Sequence, residues 1–419
     1  MEPMEDEGGD GASGGSSEVL SAVKIEESPV KSKASPRKSK GAIKLEGSPV
    51  KSEAKPSPSP RKATPKKPPA PPLEQRRMGT EAFWVALGVE PQELRIDVTL
   101  VCGQSFRWRA TGINEWSSVL GGQIVSLMQT PDNVLATAWV DGVEVRPSEE
   151  LLATIRDYFA LETSLAPLYE QWAAADATCC LLATGFPGLR VLRQDPLECL
   201  FSFICSSNNN IARIAQMIEA LCVTYGIRLG KVGIYDFHSF PTLEALLGAS
   251  EEELRGLGMG YRAKFIVKSA EIVRDKGGPE WLYSLRKEDH IPAREQLEQL
   301  SGVGSKVADC VCLMALDKTG SIPVDTHVWQ ITIRDFDKEF GDVKSVTPTV
   351  YQKVGDLWRG RYGAYAGWAH TILFAADLVK FKERAQEAMK SPTPTPEKKA
   401  KPQGGGDSPK EGAAAKRKL

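Results

Sequence analysis

The spacing of apolar residues changes at residue 148, and this change divides the chain into two kinds of secondary structure. Apolar and polar residues alternate strictly in residues 94–100, and β-rich runs follow at residues 105–109, 123–130 and 133–140. A period of two residues is typical of strands that bury one face. These segments predict an antiparallel β-sheet.

From Ser148 the apolar residues recur with the period of a helix, and this pattern continues to about Lys382, with glycine and proline at the turns. Ser148 precedes an acidic first turn, which is typical of a helix N-terminus. The sequence therefore predicts an α+β fold. We expect an N-terminal antiparallel β domain in residues 80–147 and a mostly helical body in residues 148–385.

The two ends of the chain, residues 1–79 and 386–419, lack this periodicity. They are rich in serine, proline, lysine and glycine and poor in aromatic residues. Such segments cannot bury enough apolar surface to offset the entropy lost on folding. We expect a disordered Ser/Pro/Lys-rich tail at the N-terminus and a disordered basic tail at the C-terminus.

Charge is distributed unevenly between the tails and the middle of the chain. The N-terminal tail carries 15 basic and 11 acidic side chains, the C-terminal tail carries 8 and 4, and residues 80–385 carry 30 and 39. The middle is therefore net acidic. If it binds a polyanion, the attraction must come from a local basic face and from the tails rather than from its overall charge.

The N-terminal tail contains a repeat, because residues 23–32 recur as residues 43–52. Lys24 and Lys44 lie in sequences that resemble sumoylation acceptors, and each is followed by a Ser-Pro site for proline-directed kinases. Phosphorylation there would reduce the local positive charge. We expect kinases and the sumoylation machinery as partners, while low-complexity drift remains the alternative.

Localisation signals are found at the C-terminal end, where a basic cluster, residues 416–418, follows three alanines and indicates nuclear import. The sequence contains no stretch of about twenty apolar residues, and its acidic beginning is unlike a secretory or mitochondrial leader. We expect a nuclear protein that has no membrane partner.

Eight cysteines occur among apolar neighbours without any CxxC pair, which indicates reduced, buried thiols. There are only four histidines, and neither zinc-ligand spacing nor a four-cysteine cluster is present. We therefore expect no metal and no cofactor.

The candidate chemistry lies in residues 300–325. Gly302 and Gly304 permit a tight turn whose backbone N–H groups bind phosphate, and Lys306 then opens an apolar helix, which predicts a helix-hairpin-helix. Burial would favour the neutral, nucleophilic amine of Lys306. Asp325 follows Pro323 and is placed to cap the next helix and to stabilise developing positive charge. Taken singly, a surface lysine and an ordinary helix cap are the simpler interpretations.

Four motifs together resemble the eukaryotic 8-oxoguanine DNA glycosylase family. They are the segments GVGSKVADC at 302–310, PVDTH at 323–327, GQSFRW at 103–108 and CSSNNNIAR at 205–213. The resemblance extends from about residue 80 to residue 380. Long motifs in the same order are much more specific than a lone hairpin, which many DNA-binding proteins share.

The resemblance implies a bifunctional DNA glycosylase and apurinic-site lyase that acts on 8-oxoguanine and related oxidised purines opposite cytosine in double-stranded DNA. Lys306 would attack C1′ as the base leaves, and Asp325 would stabilise the cationic sugar. A Schiff base and β-elimination would follow. The family also implies that the freed purine assists proton transfer, and we expect the enzyme to act as a monomer.

The resemblance implies further site residues. The lesion base is expected to contact Gly103, Cys310, His370 and Phe374. DNA contacts are implied for Asn208, Arg213, Tyr261 and Arg262 around the estranged cytosine, for Gly302 and Gly304 in the hairpin, and for His327, oriented by Asp377, at a phosphate. Without the resemblance, helix capping, loop structure and core packing are the simpler interpretations of these residues.

One position departs from the family pattern, since His370 stands where animal members have a glutamine against the pairing edge of the base. A neutral imidazole offers one donor and one acceptor, whereas glutamine offers two of each. The ranking among oxidised purines is therefore open. Two other classes remain as alternatives: a catalytically silent DNA-damage reader, and a monofunctional glycosylase that uses water and usually lacks this lysine.

Overall fold

A computed structural model describes residues 81–343 and 346–390. An antiparallel sheet precedes a mostly helical body, which confirms the predicted α+β class. The predictions for residues 1–79 and 391–419, including the repeat and the basic cluster, lie outside the described residues. Within the described ranges, no helix combines the length and the apolar character needed to cross a membrane.

The sheet is antiparallel and is built mainly from consecutive hairpins. Its strands are β1 (Val85–Ala86), β2 (Arg109–Gly112), β3 (Glu115–Leu120), β4 (Gln123–Gln129), β5 (Val134–Val140) and β6 (Val143–Val145). The order is β1-β5-β4-β3-β2, with β6 also paired to β5. Ser126 pairs with Ser117 on β3 and with Thr137 on β5, so β4 is central.

The segment 94–100, predicted as a strand, instead contains the short helix α1 (Ile96–Thr99). Its alternation has another origin, because Ile96 belongs to the apolar cluster under the sheet while Val98 belongs to the helical core. The turn is therefore buried on two sides. The predicted run 105–109 is also mostly irregular, since only Arg109 lies in a strand, and β3 was not anticipated.

A second hairpin interrupts the helical body and corrects the expectation of continuous helix to Lys382. It consists of β7 (Arg228–Val232) and β8 (Tyr235–His238). Val232 and Phe237 of this hairpin pack against Val119 and Ile124 of the sheet. The helical body therefore covers the second face of the sheet with a β-hairpin of its own.

The remaining elements are helical. They are α2 (Glu149–Tyr158), α3 (Ala166–Ala175), α4 (Ala177–Gly185), α5 (Pro196–Ile204), α6 (Ile211–Tyr225), α7 (Leu243–Leu247), α8 (Glu251–Gly256), α9 (Arg262–Asp275), α10 (Pro279–Ser284), α11 (His290–Glu298), α12 (Ser305–Ala315), α13 (Thr326–Asp335), α14 (Pro348–Tyr362), α15 (Ala366–Asp377) and α16 (Lys382–Lys390), with 3-10 turns at Glu81–Phe83, Leu285–Lys287, Lys338–Asp342, Gly363–Tyr365 and Val379–Phe381.

The first helix of the helical body begins as predicted, whereas its last helix extends further than predicted. The side chain of Ser148 caps α2 by accepting from the backbone N–H of Leu151 at 3.2 Å, as predicted. At the other end, α16 runs to Lys390, so residues 386–390 are helical although the sequence assigned them to the C-terminal tail. A β-carbon on Gly185 would lie 2.6 Å from Cβ of Ala388, which shows how closely α16 packs on α4.

The helical core is centred on α12, whose residues 307–315 are all buried. This helix packs against α5 and α11. Since α12 begins at the predicted hairpin, its first turn lies at the surface of the core while the rest is enclosed. The end that emerges carries Lys306.

Candidate active site

The predicted hairpin is present and its geometry depends on Gly302. This residue has φ +78°, and a β-carbon there would overlap the ring of Phe265 on α9. Gly304 is the N-cap of α12 and has open space where a β-carbon would lie. The turn therefore fits tightly against the protein at Gly302 and faces outward at Gly304, which is the form expected of a phosphate-binding helix start.

Lys306 is the second residue of α12 and is half-buried. Its Nζ lies 3.4 Å from the hydroxyl oxygen of Ser206 and 5.3 Å from the centre of the Phe203 ring. The helix is buried as predicted, but the amine at its start is only partly enclosed. It opens instead onto a cavity.

Asp325 is the N-cap of α13, as predicted. One carboxylate oxygen, Oδ1, accepts from the backbone N–H groups of His327 at 2.9 Å and Val328 at 3.0 Å. These bonds and the helix dipole stabilise the negative charge. The second oxygen, Oδ2, is not engaged by the cap and is available to a cationic group nearby.

A cavity of about 1220 Å³ brings the two residues to one space. Among the predicted site residues, its wall includes Gly103, Asn208, Gly302, Gly304, Lys306, Asp325, His327 and Phe374. Residues from α12, α13, α15 and two loops therefore converge on one chamber although they are far apart in sequence. Cys310 and His370 are buried behind this wall.

His370 lies one turn before Phe374 on α15, and the two rings stack with centroids 5.9 Å apart. Neither ring nitrogen of His370 makes a hydrogen bond of normal geometry within the described part of the chain. Burial lowers the pKa of His370 to about 4, although the charge of Asp325 favours the protonated ring. The imidazole is therefore neutral at pH 7.

Phe374 closes the part of the cavity where the lesion base is predicted to bind. Its ring also contacts His327, with centroids 5.6 Å apart and an edge-on arrangement. A β-carbon on Gly103, where φ is +92°, would lie 3.1 Å from Ile211 and 3.9 Å from Phe374. Burial raises the pKa of Cys310 to about 11, so its thiol is neutral.

The residues predicted to hold the opposite base surround one loop between α5 and α6. Asn208 is exposed and has φ +46°, a conformation that asparagine tolerates better than most residues. Asn210 caps α6 by accepting from the backbone N–H of Arg213 at 3.0 Å. The side chain of Arg213 is exposed on the first turn of that helix.

Arg262 approaches the same loop from α9 but faces inward. Its side chain is 3 % exposed and donates to the backbone carbonyl of Ser207, from Nε at 3.1 Å, and to that of Asn208 at 3.1 Å. The hydroxyl of Tyr261 donates to the Ser207 carbonyl at 2.8 Å, and the residue is 47 % exposed. In this conformation Tyr261 is exposed to solvent, whereas Arg262 supports the loop.

His327 and Asp377 form the predicted pair, with Nδ1 of His327 2.6 Å from Oδ2 of Asp377. Because a carboxylate only accepts, the proton is on Nδ1, and Nε2 is the end available to another group. Arg334 lies 3.5 Å from the other carboxylate oxygen. This adds positive charge beside the imidazole.

Asp309 and Tyr351 lie at or near the cavity but were not predicted as site residues from the sequence. Asp309 is 1 % exposed within the buried stretch of α12, and Tyr351 of α14 lines the cavity. The available signal was a charged residue in an otherwise apolar helix, since such a residue is rarely buried without partners. Tyr351 gave no comparable signal.

Comparison with known proteins agrees with these motifs. Residues 86–200 match the model of the 8-oxoguanine DNA glycosylase N-terminal domain, and residues 201–358 match that of the HhH-GPD superfamily of base excision DNA repair proteins. The N-glycosylase/DNA lyase OGG1 of Arabidopsis thaliana is 41 % identical over 327 residues, which cover 77 % of this chain and 88 % of that protein.

Two further relatives extend this result. The N-glycosylase/DNA lyase of Saccharomyces cerevisiae is 36 % identical and covers 70 % of this chain and 85 % of its own length. The structure of MBOgg1 in complex with a low-affinity DNA ligand superimposes with a TM-score of 0.62 at 25 % identity, covering 73 % of this chain and 96 % of that one. The chain therefore belongs to the 8-oxoguanine DNA glycosylase family of the HhH-GPD superfamily and is a DNA N-glycosylase with lyase activity.

Proposed function

We propose that Lys306 is the nucleophile for both the glycosylase and the lyase reactions, on 8-oxoguanine and related oxidised purines opposite cytosine in double-stranded DNA. The observation that supports this most directly is that Lys306 and Asp325 line one cavity from the starts of two helices. An amine and a carboxylate so placed face the same sugar from two directions.

The chemistry begins as the bond between C1′ and the base breaks. Positive charge develops on the sugar, and the free oxygen of Asp325 stabilises it because Oδ1 is held by the cap. The Lys306 amine then bonds to C1′, and the purine leaves with the bonding electron pair and accepts a proton. A fixed carboxylate is effective here since it needs no reorganisation during the reaction.

The lyase step follows from the same bond. Ring opening converts the amine adduct to a protonated Schiff base, which acidifies the proton on C2′. Loss of that proton and cleavage of the C3′–O bond complete β-elimination, with the 3′ phosphate as leaving group. The freed purine is proposed to carry the proton between these positions while it remains in the cavity.

Base recognition is proposed to rest on Gly103, Cys310, Phe374 and His370. The backbone carbonyl of Gly103 would accept the N7–H proton that 8-oxoguanine has and guanine lacks. Phe374 and Cys310 would lie on the two faces of the base, and neutral His370 would bond its pairing edge. Since Phe374 now stacks on His370, the base must displace that contact to reach the imidazole.

Cytosine selection is proposed to rest on Asn208, Arg213 and Arg262, with Tyr261 as the wedge. Guanidinium donors suit the acceptors of cytosine. Arg213 and Tyr261 are already exposed toward solvent, whereas Arg262 must exchange its carbonyl partners for the base. A phosphate contact through Nε2 of His327 and the hairpin amides would hold the lesion strand.

Borohydride reduction during reaction with an 8-oxoguanine:cytosine duplex tests the central claim. The wild-type protein should form a covalent adduct, and Lys306→Gln should bind the duplex but form none. Lys380 is a matched control because it lines the same cavity, so Lys380→Gln should still be trapped. An adduct that persists in Lys306→Gln would assign the nucleophile to another residue.

We also propose that the protein acts as a nuclear monomer and that its two tails serve delivery rather than chemistry. Their excess of basic residues, their repeated Ser-Pro sites and the terminal basic cluster support this division. Kinases and the sumoylation machinery are the proposed partners of the N-terminal tail.

A further inference from the structure

A buried polar cluster lies directly behind the two proposed catalytic residues. At its centre is Asp309, three residues after Lys306 on α12. Its Oδ1 lies 2.7 Å from the hydroxyl of Ser321 and 2.7 Å from Nε2 of His290. Its Oδ2 accepts from the hydroxyl of Tyr351 at 2.6 Å. These partners satisfy a carboxylate that is almost wholly removed from water.

The cluster connects α12 to the segment that carries Asp325. Ser321 belongs to the connection between α12 and α13, is fully buried, and also contacts the backbone carbonyl of Asp309 at 3.1 Å. Further along the connection, the backbone N–H of Val324 donates to the Tyr351 hydroxyl oxygen at 3.3 Å. Val324 immediately precedes Asp325.

We propose that Asp309 and Tyr351 are positioning residues that set the place of Asp325 relative to Lys306. Asp309, on the helix that carries Lys306, bonds Ser321 directly and contacts Val324 through the Tyr351 hydroxyl. Ser321 and Val324 both belong to the connection that leads to Asp325. This inference rests on the proposed roles of Lys306 and Asp325. Neither positioning residue is assigned contact with the reacting atoms.

The chemistry of the hydroxyl fits this role. Burial, and then the charge of Asp309, raise the pKa of Tyr351 well above its usual value, so its proton stays in place to be donated. The hydroxyl donates this proton in its 2.6 Å hydrogen bond to Asp309, and its oxygen accepts from the Val324 N–H. Phenylalanine at this position would keep the ring and lose every hydrogen bond of the hydroxyl.

The ligand atoms of His290, Asp309 and Cys312 lie within 4.8 Å of one another, a spacing that a metal ion could also use. The hydrogen bonds favour a different description. Both oxygens of Asp309 are already engaged by hydroxyl groups, and burial holds the pKa of Cys312 far above its usual value, which disfavours the thiolate that metals require. We therefore treat the cluster as hydrogen-bonded.

The proposal predicts that two activities separate. Removal of an oxidised base depends on Asp325 and on its distance from the sugar, whereas strand cleavage at a preformed abasic site starts after the base has gone. A displacement of about 1 Å at a reacting group costs about a hundredfold in rate. Loosening the cluster should therefore slow excision far more than abasic-site cleavage.

Single-turnover rates of wild type and Tyr351→Phe at saturating enzyme test this, with 8-oxoguanine:cytosine and abasic:cytosine duplexes as substrates. The temperature is kept below the unfolding transitions of both proteins. We expect excision to fall about ten- to hundredfold and abasic-site cleavage to change by less than about threefold. Ser321→Ala, which acts on the other oxygen of Asp309, should shift the ratio the same way. A merely structural role would lower both rates together.

Tyr283→Phe is the matched control, because the Tyr283 hydroxyl donates to Asp195 at 2.7 Å outside the catalytic cavity. Its ratio of the two rates should equal that of wild type. An unchanged ratio in both Tyr351→Phe and Ser321→Ala would overturn the inference, as would one equivalent of tightly bound metal in the purified wild-type protein. Neither result would affect borohydride trapping by Lys306, which tests the proposed function separately.

Discussion

His370 and Phe374 lie one helical turn apart on α15 and stack with 28° between their ring planes. The stack encloses an imidazole whose pKa is lowered to about 4 by burial. It also places the residue that departs from the family pattern directly behind the ring proposed to hold the lesion. Stability and the proposed base recognition thus depend on the same pair of side chains.

The first prediction concerns pH and stability. An unfolded chain protonates His370 below about pH 6.5, whereas the folded protein resists protonation until about pH 4. The unfolded state therefore binds more protons in this window, and stability falls as the pH decreases. Between pH 7 and pH 5 this one group should cost about 2 kcal/mol.

Urea unfolding of wild type and His370→Gln at pH 7, 6 and 5 measures this difference. The variant should lose about 2 kcal/mol less than wild type over that range, since glutamine does not titrate. Equal losses in the two proteins would show that His370 does not resist protonation in the folded state.

The second prediction concerns the hairpin turn. Gly302→Ala places a β-carbon against the ring of Phe265 at a positive φ, so it should destabilise the protein by about 1–3 kcal/mol. Gly304→Ala meets open space and should cost less than about 1 kcal/mol. Thermal unfolding of the two variants without DNA compares them, and similar shifts would contradict the close contact at Gly302.

The third prediction separates capping from catalysis at Asp325. Asn keeps the cap, so Asp325→Asn should remain nearly as stable as wild type, while Asp325→Ala should lose about 1 kcal/mol. Both variants lack the negative charge and should excise 8-oxoguanine about a hundredfold or more slowly in single turnover. If Asp325→Asn excised the base at the wild-type rate, the carboxylate would be only a helix cap.

The fourth prediction concerns the opposite base. Wild type should prefer 8-oxoguanine opposite cytosine to 8-oxoguanine opposite adenine, and Arg213→Ala should reduce that preference by about 1–3 kcal/mol. Excision rates on the two duplexes give the ratio. Arg228, which is exposed on β7 and paired with Asp236, supplies the control, and Arg228→Ala should leave the ratio unchanged.

The fifth prediction concerns the tails. A chain of residues 80–390, which retains all of α16, should keep the single-turnover excision rate at saturating enzyme. It should lose nuclear accumulation and part of the salt-sensitive, nonspecific affinity for DNA. Phosphorylation at Ser28, Ser35, Ser48 and Ser59 should reproduce part of that affinity loss, because each phosphate adds about −1.5 to −2 charge. Loss of excision at saturation would place the tails in the catalytic unit.

Local signals in the sequence were sufficient to predict where the two helices that carry the proposed catalytic residues begin. The glycines of the hairpin and the proline before Asp325 each restrict the backbone within a few residues, so α12 and α13 begin where the sequence predicts. The prediction of a strand at residues 94–100 was wrong for the opposite reason. Their alternation reflects burial against two different clusters, which depends on contacts distant in sequence.

In the candidate site, too, some residues could be predicted from the sequence and some contacts could not. Residue types indicated Lys306 and Asp325, the family resemblance implied the pairing of His327 with Asp377, and the structure places each of them at the cavity or beside it. The inward orientation of Arg262 could not be predicted, since it depends on the carbonyl groups of a loop more than fifty residues away. The partners of Asp309 likewise come from three separate segments of the chain.

The contact between Gly302 and Phe265 has a mechanical consequence for DNA. Phe265 also packs edge-on against Tyr261, with ring centroids 5.8 Å apart, so the proposed phosphate-binding turn and the proposed wedge contact the same side chain. The spacing between the proposed phosphate-binding turn and the proposed wedge, Tyr261, is therefore already set in the protein without DNA. A duplex that contacts both the turn and the ring of Tyr261 would therefore have to match a spacing that exists before DNA binds, and the energy of any deformation this requires would depend on the DNA sequence.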